Sequence, residues 1–430
     1  MADIGMNTGL EETRRMHDTA VFERARLENG VSVWLQKTPI LTDDGGIIIA
    51  LFSGIGSRMD PPGEAGMAHF FEHMPFKGTK DKPSPKEVSS PIENRGGVLN
   101  ANTSQLRTTY YAETAGADFE LALDTLFQVV AHPLIRKEDV AKERGPLLEE
   151  YKRVFRDGDS VAAKYFLEEF AGRNHSLGHL PIGEIKTIEN MTKEKLDNFY
   201  TKHYHAGNLH IICGGSFSRK AGVLGKISDY FSLIAKNHPN KPAQTDPDLL
   251  YKSGRVVVND SEFKRDMLIS VITLPRLTAL DHEAVDFLAA ILSRGSDSFL
   301  NVELRENRGW VYEQGLTSLS YSFDTELFTF KCPTSRVNFR DAEEILYDSL
   351  AKLDADYIVR RQKSRQMERA TTFKHPARVC HSIVDEIVLN GQLMSYRETE
   401  DLEDSLTVER ILQWRDYLLD KPSFILEALA

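Results

Sequence analysis

The chain has 430 residues and carries 53 Lys and Arg against 64 Asp and Glu, a formal net charge of −11, with 41% hydrophobic and 27% charged residues. This is a globular composition, which excludes disordered, collagenous and disulfide-scaffold chains, and at roughly 100–200 residues per domain it calls for two or three cores. The acidic balance excludes a general nucleic-acid binder, whose phosphate attraction needs a basic surface, and favours basic peptides instead. Residues 1–22 have no apolar segment and carry early acidic residues, so neither a secretory leader nor a transit peptide is read there. Residues 31–36 and 46–53 are rich in apolar and β-branched types and read as strands. Residues 66–77 are helix-like, and 98–113 alternate as a half-buried extended stretch does. Residues 118–131, DFELALDTLFQVVA, repeat apolar positions at three and four and predict an amphipathic helix; a longer helix follows over 137–155 and a strand over 209–214.

Residues 236–254 hold three prolines among Asn, Asp and Lys and read as a linker. Beyond it the same order recurs: a strand at 267–273, a helix at 281–292, an extended stretch at 315–331 and an amphipathic helix at 338–353. The order predicts two related halves, 1–235 and 255–430, although no residue-level repeat is visible. The longest apolar run, 47–52, is far short of the ~20 residues a membrane span requires. Cys213, Cys332 and Cys380 have neither metal-knuckle nor redox spacing, which fits a reducing compartment. The expected location is the cytoplasm, or the periplasm if a leader has been removed.

The chemistry concentrates in GMAHFFEHMPFKGT, residues 66–79. His69 and His73 are four apart, so on a helix both imidazoles face one side about a turn apart and can share a metal ion. Glu72 lies close to that face and is placed to act as a general base toward water. With 13 His in the chain, His-x-x-Glu-His arises by chance in roughly a few per cent of such sequences. The inverted arrangement is a metallopeptidase signature. A structural zinc would want four protein ligands, usually with cysteine, and no cysteine is near. A catalytic site needs a third ligand and an open position. KERGPLLEEYKRV, residues 142–154, offers Glu143, Glu149 and Glu150; Glu143 and Glu150, seven apart, share a helix face, but spacing alone does not choose between Glu149 and Glu150.

These blocks resemble the pitrilysin/insulinase family of zinc metallopeptidases, most closely its half-length bacterial and mitochondrial-processing-peptidase-like members. GSRMDPPGEAGMAHFFEHMPFKGT is similar to the family's zinc helix, ENRGGVLNANTSQLRTTYYAE to the block after it, ERGPLLEE to the third-ligand block and LRENRGWVY to an element of the second half. The resemblance implies one Zn2+ per chain held by His69, His73 and Glu150, with Glu72 as base and Glu143 as a carboxylate supporting a ligand histidine. It also implies that Asn100 and Ala101 lie on an edge strand where substrate adds as a further strand. Arg305 and Tyr312 match a pair that reaches the substrate backbone from the second half. The fold implied is α+β: two related halves, each a mainly antiparallel sheet covered by helices.

The activity implied is hydrolysis of unfolded peptides in a dimeric chamber, as a homodimer or as one subunit of a heterodimer, with no nucleic-acid or membrane partner. A non-catalytic partner subunit is the rival, although such subunits lose zinc ligands and this chain keeps them. Two departures stand out. Pro146 falls inside the third-ligand helix, where it can kink or restart it and weaken the same-face placement of Glu143. Phe299 stands where many relatives carry Arg. His175 and His179 are read as structural, and His203, His205 and His210 as packing or surface residues. His381 has no metal-like partner pattern, so no second zinc site is expected.

Overall fold

The computed structural model describes residues 22–36, 45–156, 158–239, 249, 252–312, 315–321, 325–372, 376–390, 401–402 and 404–430. The amino-terminal segment and most of the predicted linker (240–248, 250–251) lie outside them. The strands are β1 (Phe22–Arg26), β2 (Ser32–Gln36), β3 (Gly45–Ser53), β4 (Val98–Thr103), β5 (Arg107–Ala115), β6 (Leu209–Gly215), β7 (Gly254–Asn259), β8 (Met267–Pro275), β9 (Thr317–Tyr321), β10 (Thr325–Cys332) and β11 (Phe424–Leu429). The helices are α1 (Met67–His73), α2 (Pro85–Glu93), α3 (Phe119–Ala131), α4 (Lys137–Val154), α5 (Gly158–Ala171), α6 (Ile185–Glu189), α7 (Lys193–His203), α8 (Val223–Phe231), α9 (Ala279–Ser293), α10 (Phe339–Ala351), α11 (Ala355–Thr372), α12 (Pro376–Asn390) and α13 (Val408–Asp420).

Two sheets organise the chain. The first runs β1-β2-β6-β3-β5-β4 and the second β7-β11-β8-β10-β9. In the first, β2 and β6 are parallel and β6, β3, β5 and β4 alternate antiparallel. In the second, β7 and β11 are parallel and β11, β8, β10 and β9 alternate in the same way. The two topologies coincide strand for strand, with β1 as an extra edge on the first, so the halves are related as the shared order of elements predicts. Each predicted extended stretch is a hairpin: 98–113 resolves into β4 and β5, and 315–331 into β9 and β10.

β3 explains why its sequence is continuously apolar rather than alternating. Ile47, Ile48, Ile49, Ala50 and Leu51 are all at most 1% exposed, so both faces of the strand are covered. One face packs with α1 and α3 into a core that includes Ile48, Phe52, Phe71, Tyr110 and Leu126. The other is crossed by α12, which lies over β3 and β6. Each such isoleucine contributes about 1.5–3 kcal/mol of burial. In the second sheet, Phe166 and Phe170 of α5 pack edge-on to Phe424 of β11.

The chain divides into two compact units, neither continuous in sequence. The first draws on stretches within Met1–Tyr151, His179–Ala243 and Met367–Arg397, and the second on Lys152–Gly178, Gln244–Gln366 and Glu398–Ala430. Thus α12, late in the chain, belongs with the first sheet, and α5, early in the chain, belongs with the second. No helix among the described residues is long and apolar enough to cross a membrane.

Candidate metal centre

α1 is a short helix with glycine at its N-cap, so its start must be held from outside. Asp60 does this: its carboxylate accepts hydrogen bonds from the Gly66 and Ala68 amides at 2.7 and 2.8 Å. Gly66 (φ +98) also passes against Gly183 (φ +73), where Glu184 donates its amide to the Ala65 carbonyl at 3.2 Å. A Cβ on Gly183 would stand 2.1 Å from the Ala65 oxygen and 2.3 Å from Gly66 Cα, so only glycine fits this crossing. The buried face of α1 is anchored by Phe71, which lies 4.5, 5.5 and 6.1 Å from the rings of Tyr204, Tyr200 and Phe199. That fixes the opposite face, where the histidine rings sit 4.8 Å apart, nearly perpendicular.

α4 runs from Lys137 to Val154 through Pro146. Pro146 and Lys142, whose carbonyl loses its amide partner, are both exposed, and the helix neither stops nor restarts. Glu143 and Glu150 therefore share a face after all, and they approach the two nitrogens of one ring. Glu143 Oε1 lies 2.9 Å from His73 Nδ1, and Glu150 Oε2 lies 3.6 Å from His73 Nε2 and 3.8 Å from His69 Nε2. Glu149, one residue away, is exposed and not part of this group.

The donor atoms of His69, His73 and Glu150 all fall within 4.8 Å of one another, a group that can hold a metal ion; it is the one such group found among the described residues. Two of the separations approach the ~3.3 Å edge of a tetrahedron with bonds of about 2.0–2.1 Å, the dimensions of a zinc site. The donor chemistry also fits. Burial and the neighbouring His73 push His69 down to about 3, so its nitrogen lone pair is free for a metal. Burial alone would lower His73, but the hydrogen bond and charge of Glu143, together with Glu72 and Glu150, raise it. An Nδ1–H donated to Glu143 leaves Nε2 facing the other ligands. Glu143, although buried, stays below the ordinary carboxylate range because His73 and Lys77 both bond it.

Glu72 is 7% exposed, and its Oε2 is buried with no hydrogen-bond partner among the described residues. Burial, with Glu150 nearby, raises its pKa, while the hydroxyl and amide of Thr103 and the charge of His73 pull it down. An orphaned carboxylate oxygen beside three converging metal donors is placed to accept a proton from a water molecule.

Asn100 and Ala101 lie on β4, the free edge of the first sheet, and the same strand ends at Thr103 beside Glu72. Arg305 and Tyr312 belong to the second unit. Arg305 sits in a π-helical turn (Asn301–Glu306) with its guanidinium 5.3 Å from the centre of the Tyr312 ring, and that ring is 85% exposed. Phe299 packs on Tyr357 at 4.7 Å between ring centres. His203 and His205 are buried, and His210 accepts from the Trp34 indole at 3.1 Å, in keeping with packing roles. His381 stacks edge-on against Tyr111. The sequence reading missed Asp60, Lys77, Thr103 and Gly183. Lys77 follows His73 by four residues and Thr103 closes the Asn-Ala-x-Thr run, so both carried a positional signal.

Comparison with known proteins follows the same lines. The family model "Insulinase (Peptidase family M16)" matches residues 47–179, and "Peptidase M16 inactive domain" matches 190–363. An uncharacterized zinc protease of Rickettsia felis is 27% identical over 353 residues, covering 82% of this chain and 81% of its own. The mitochondrial-processing peptidase subunit beta of Saccharomyces cerevisiae is 24% identical, covering 94% of this chain and 90% of its own. A Helicobacter pylori protease of known structure shares the fold at a TM-score of 0.84 and 19% identity, covering 95% of this chain and 99% of its own.

Proposed function

The chain belongs to the insulinase family of M16 peptidases, and from that premise we propose that it is a zinc-dependent endopeptidase acting on unfolded peptides. The observation that carries this is the convergence of His69, His73 and Glu150 next to the orphaned oxygen of Glu72. His69, His73 and Glu150 would hold one Zn2+. When bound, zinc supplies a Lewis acid that lowers the pKa of water toward ~7 and polarises a carbonyl.

The protein's own groups do the rest. Glu143 orients the His73 ring through Nδ1. Glu72 Oε2 takes the proton of the attacking water and returns it to the leaving amine nitrogen. Its burial raises its basicity for the first step and keeps bulk water from competing. The free edge of β4, at Asn100 and Ala101, would pair with an extended peptide through main-chain bonds, so sequence preference would be loose. Arg305 and Tyr312 would contact the peptide backbone. In this reading residues 1–235 form the catalytic half, and 255–430 complete a chamber formed by paired chains.

The likeness to a subunit of the yeast processing peptidase favours a second reading, in which this chain is one member of a heterodimer and inactive alone. Light scattering on the purified chain distinguishes a self-paired dimer from a monomer awaiting a partner. The test of catalysis is Glu72→Gln on a pool of unstructured peptides, with zinc content measured in parallel. Retained zinc with at least ~10²-fold lower turnover supports the role given to Glu72. Undiminished turnover by Glu72→Gln removes Glu72 from the mechanism.

A further inference from the structure

Lys77 is absent from the set of residues to which the motifs assign chemistry, yet it reaches the metal centre from an unusual direction. It ends a 3-10 turn (Met74–Lys77) that continues directly from α1, so it follows His73 by four residues and returns to the same side. Its ammonium pairs with Glu143 Oε2, while Glu143 Oε1 lies 2.9 Å from His73 Nδ1. Each oxygen of a carboxylate that is only 3% exposed is thereby bonded, one to a ligand histidine and one to a cation. The Lys77 backbone is fixed as well: Arg136 donates to its carbonyl at 2.9 Å, and the same guanidinium bonds Asp139 at 2.6 Å and the Pro83 carbonyl. The lysine is held at both ends.

We propose that Lys77 is a positioning residue for the metal centre: by holding the outer oxygen of Glu143 it aims the inner one at His73 Nδ1 and so presents His73 Nε2 to the metal. The physical argument is one of burial and aim. A carboxylate this deeply buried is tolerated as an anion only when paired, and a neutral imidazole supplies a hydrogen bond without a full countercharge. Lys77 supplies that countercharge through the oxygen of Glu143 that does not face His73, so it acts on the centre without itself being one of the donors. Without it, the buried carboxylate of Glu143 loses its countercharge and turns from His73 toward solvent, and the ring of His73 loses the partner that selects its tautomer.

This inference rests on the zinc-site reading above, and its test separates the two. The measurement is the zinc dissociation constant of the full chain by chelator competition, for wild type, Lys77→Met, Lys77→Arg, Glu143→Gln and the Lys77→Met/Glu143→Gln double variant. Loss of an outer partner of a ligand histidine typically weakens metal binding ~10–100-fold, so Lys77→Met is expected in that range, with Lys77→Arg within a few-fold of wild type. In the Glu143→Gln background, Lys77→Met should add almost nothing, because the two act through one contact. Equal affinity for Lys77→Met and wild type, or fully additive losses in the double variant, overturns the proposal. If Lys77→Met folds poorly, Lys77→Gln and the Co2+ d–d spectrum of the loaded protein carry the same comparison, and an unaltered spectrum overturns it. Failure of wild type itself to bind zinc stoichiometrically would count against the metal site and not against Lys77 alone.

Discussion

Replacing Gly183 with alanine should damage the metal centre although the residue touches no ligand. Two terms combine there. At φ +73 an alanine pays roughly 1 kcal/mol of backbone strain. Its Cβ would also stand 2.1 Å from the Ala65 oxygen and 2.3 Å from Gly66 Cα, contacts with backbone that cannot swing aside. Overpacking of this kind adds about 1–3 kcal/mol, giving about 2–4 kcal/mol in all. Gly96 is the control: its φ is +74, but nothing lies within 4 Å of its Cβ position, so Gly96→Ala should show the strain alone.

In a compact unit of about 250 residues, 1 kcal/mol moves a thermal midpoint by about 2–4 °C. Scanning calorimetry of zinc-loaded chains should therefore show a fall of about 4–16 °C for Gly183→Ala against about 2–4 °C for Gly96→Ala. Because the crossing carries the start of α1, Gly183→Ala should also weaken zinc binding, and Gly96→Ala should not. Equal shifts in the two variants would refute the steric reasoning and mean that the crossing opens freely.

Phe71→Ala removes a fully buried ring from beneath the histidines and should cost about 3–5 kcal/mol, seen as a lower midpoint with weakened zinc affinity; wild-type values for both would show that α1 does not depend on this anchor. In the second unit, His282 Nδ1 lies 2.7 Å from Glu326, itself 5% exposed. Burial alone would lower the His282 pKa, but the Glu326 hydrogen bond and charge raise it above its ordinary value. A value raised on folding stabilises fully below the unfolded pKa of about 6.5 and is lost as pH rises through the folded value. With zinc held saturating, the thermal midpoint should fall as pH rises above about 6.5 and fall less steeply in His282→Gln; an identical slope in that variant would assign the pH dependence elsewhere.

Much of the site was legible because its parts are local. His69, Glu72 and His73 share one short helix, and Glu143 and Glu150 share another, so helical spacing grouped each set on a face, although it left Glu149 and Glu150 undecided and the family resemblance made that choice. Pro146 was the uncertain point, and the helix runs through it at an exposed position, so Glu143 and Glu150 keep a common face. The partners that hold the site in place were harder to read. Asp60 caps α1 across a loop, Gly183 meets Gly66 across 117 positions of sequence, and neither relation follows any periodicity. The strand segments were readable where they are long and apolar, as in β3 and β8. β11, six residues inserted between β7 and β8, was not, since its pairing partners lie more than 150 residues upstream. The matching order of the two halves appeared in the sequence as a sequence of element types, while the identical strand order emerged only from the pairing.

The crossing of α12 over β3 and β6 sets a timetable for biosynthesis. All six strands of the first sheet have been made once residue 215 is added, but the helix that covers its second face ends at residue 390. At about 5–20 residues per second, Ile47, Ile49 and Leu51 would wait roughly 10–35 s on the ribosome with that face bare. During this interval the nascent chain offers an apolar surface to holding chaperones and to neighbouring nascent chains. α5, made early, likewise waits for β11 at the far end of the chain. Coverage of both sheets therefore depends on synthesis reaching α12 and β11, and termination before residue 390 would leave both sheets partly uncovered.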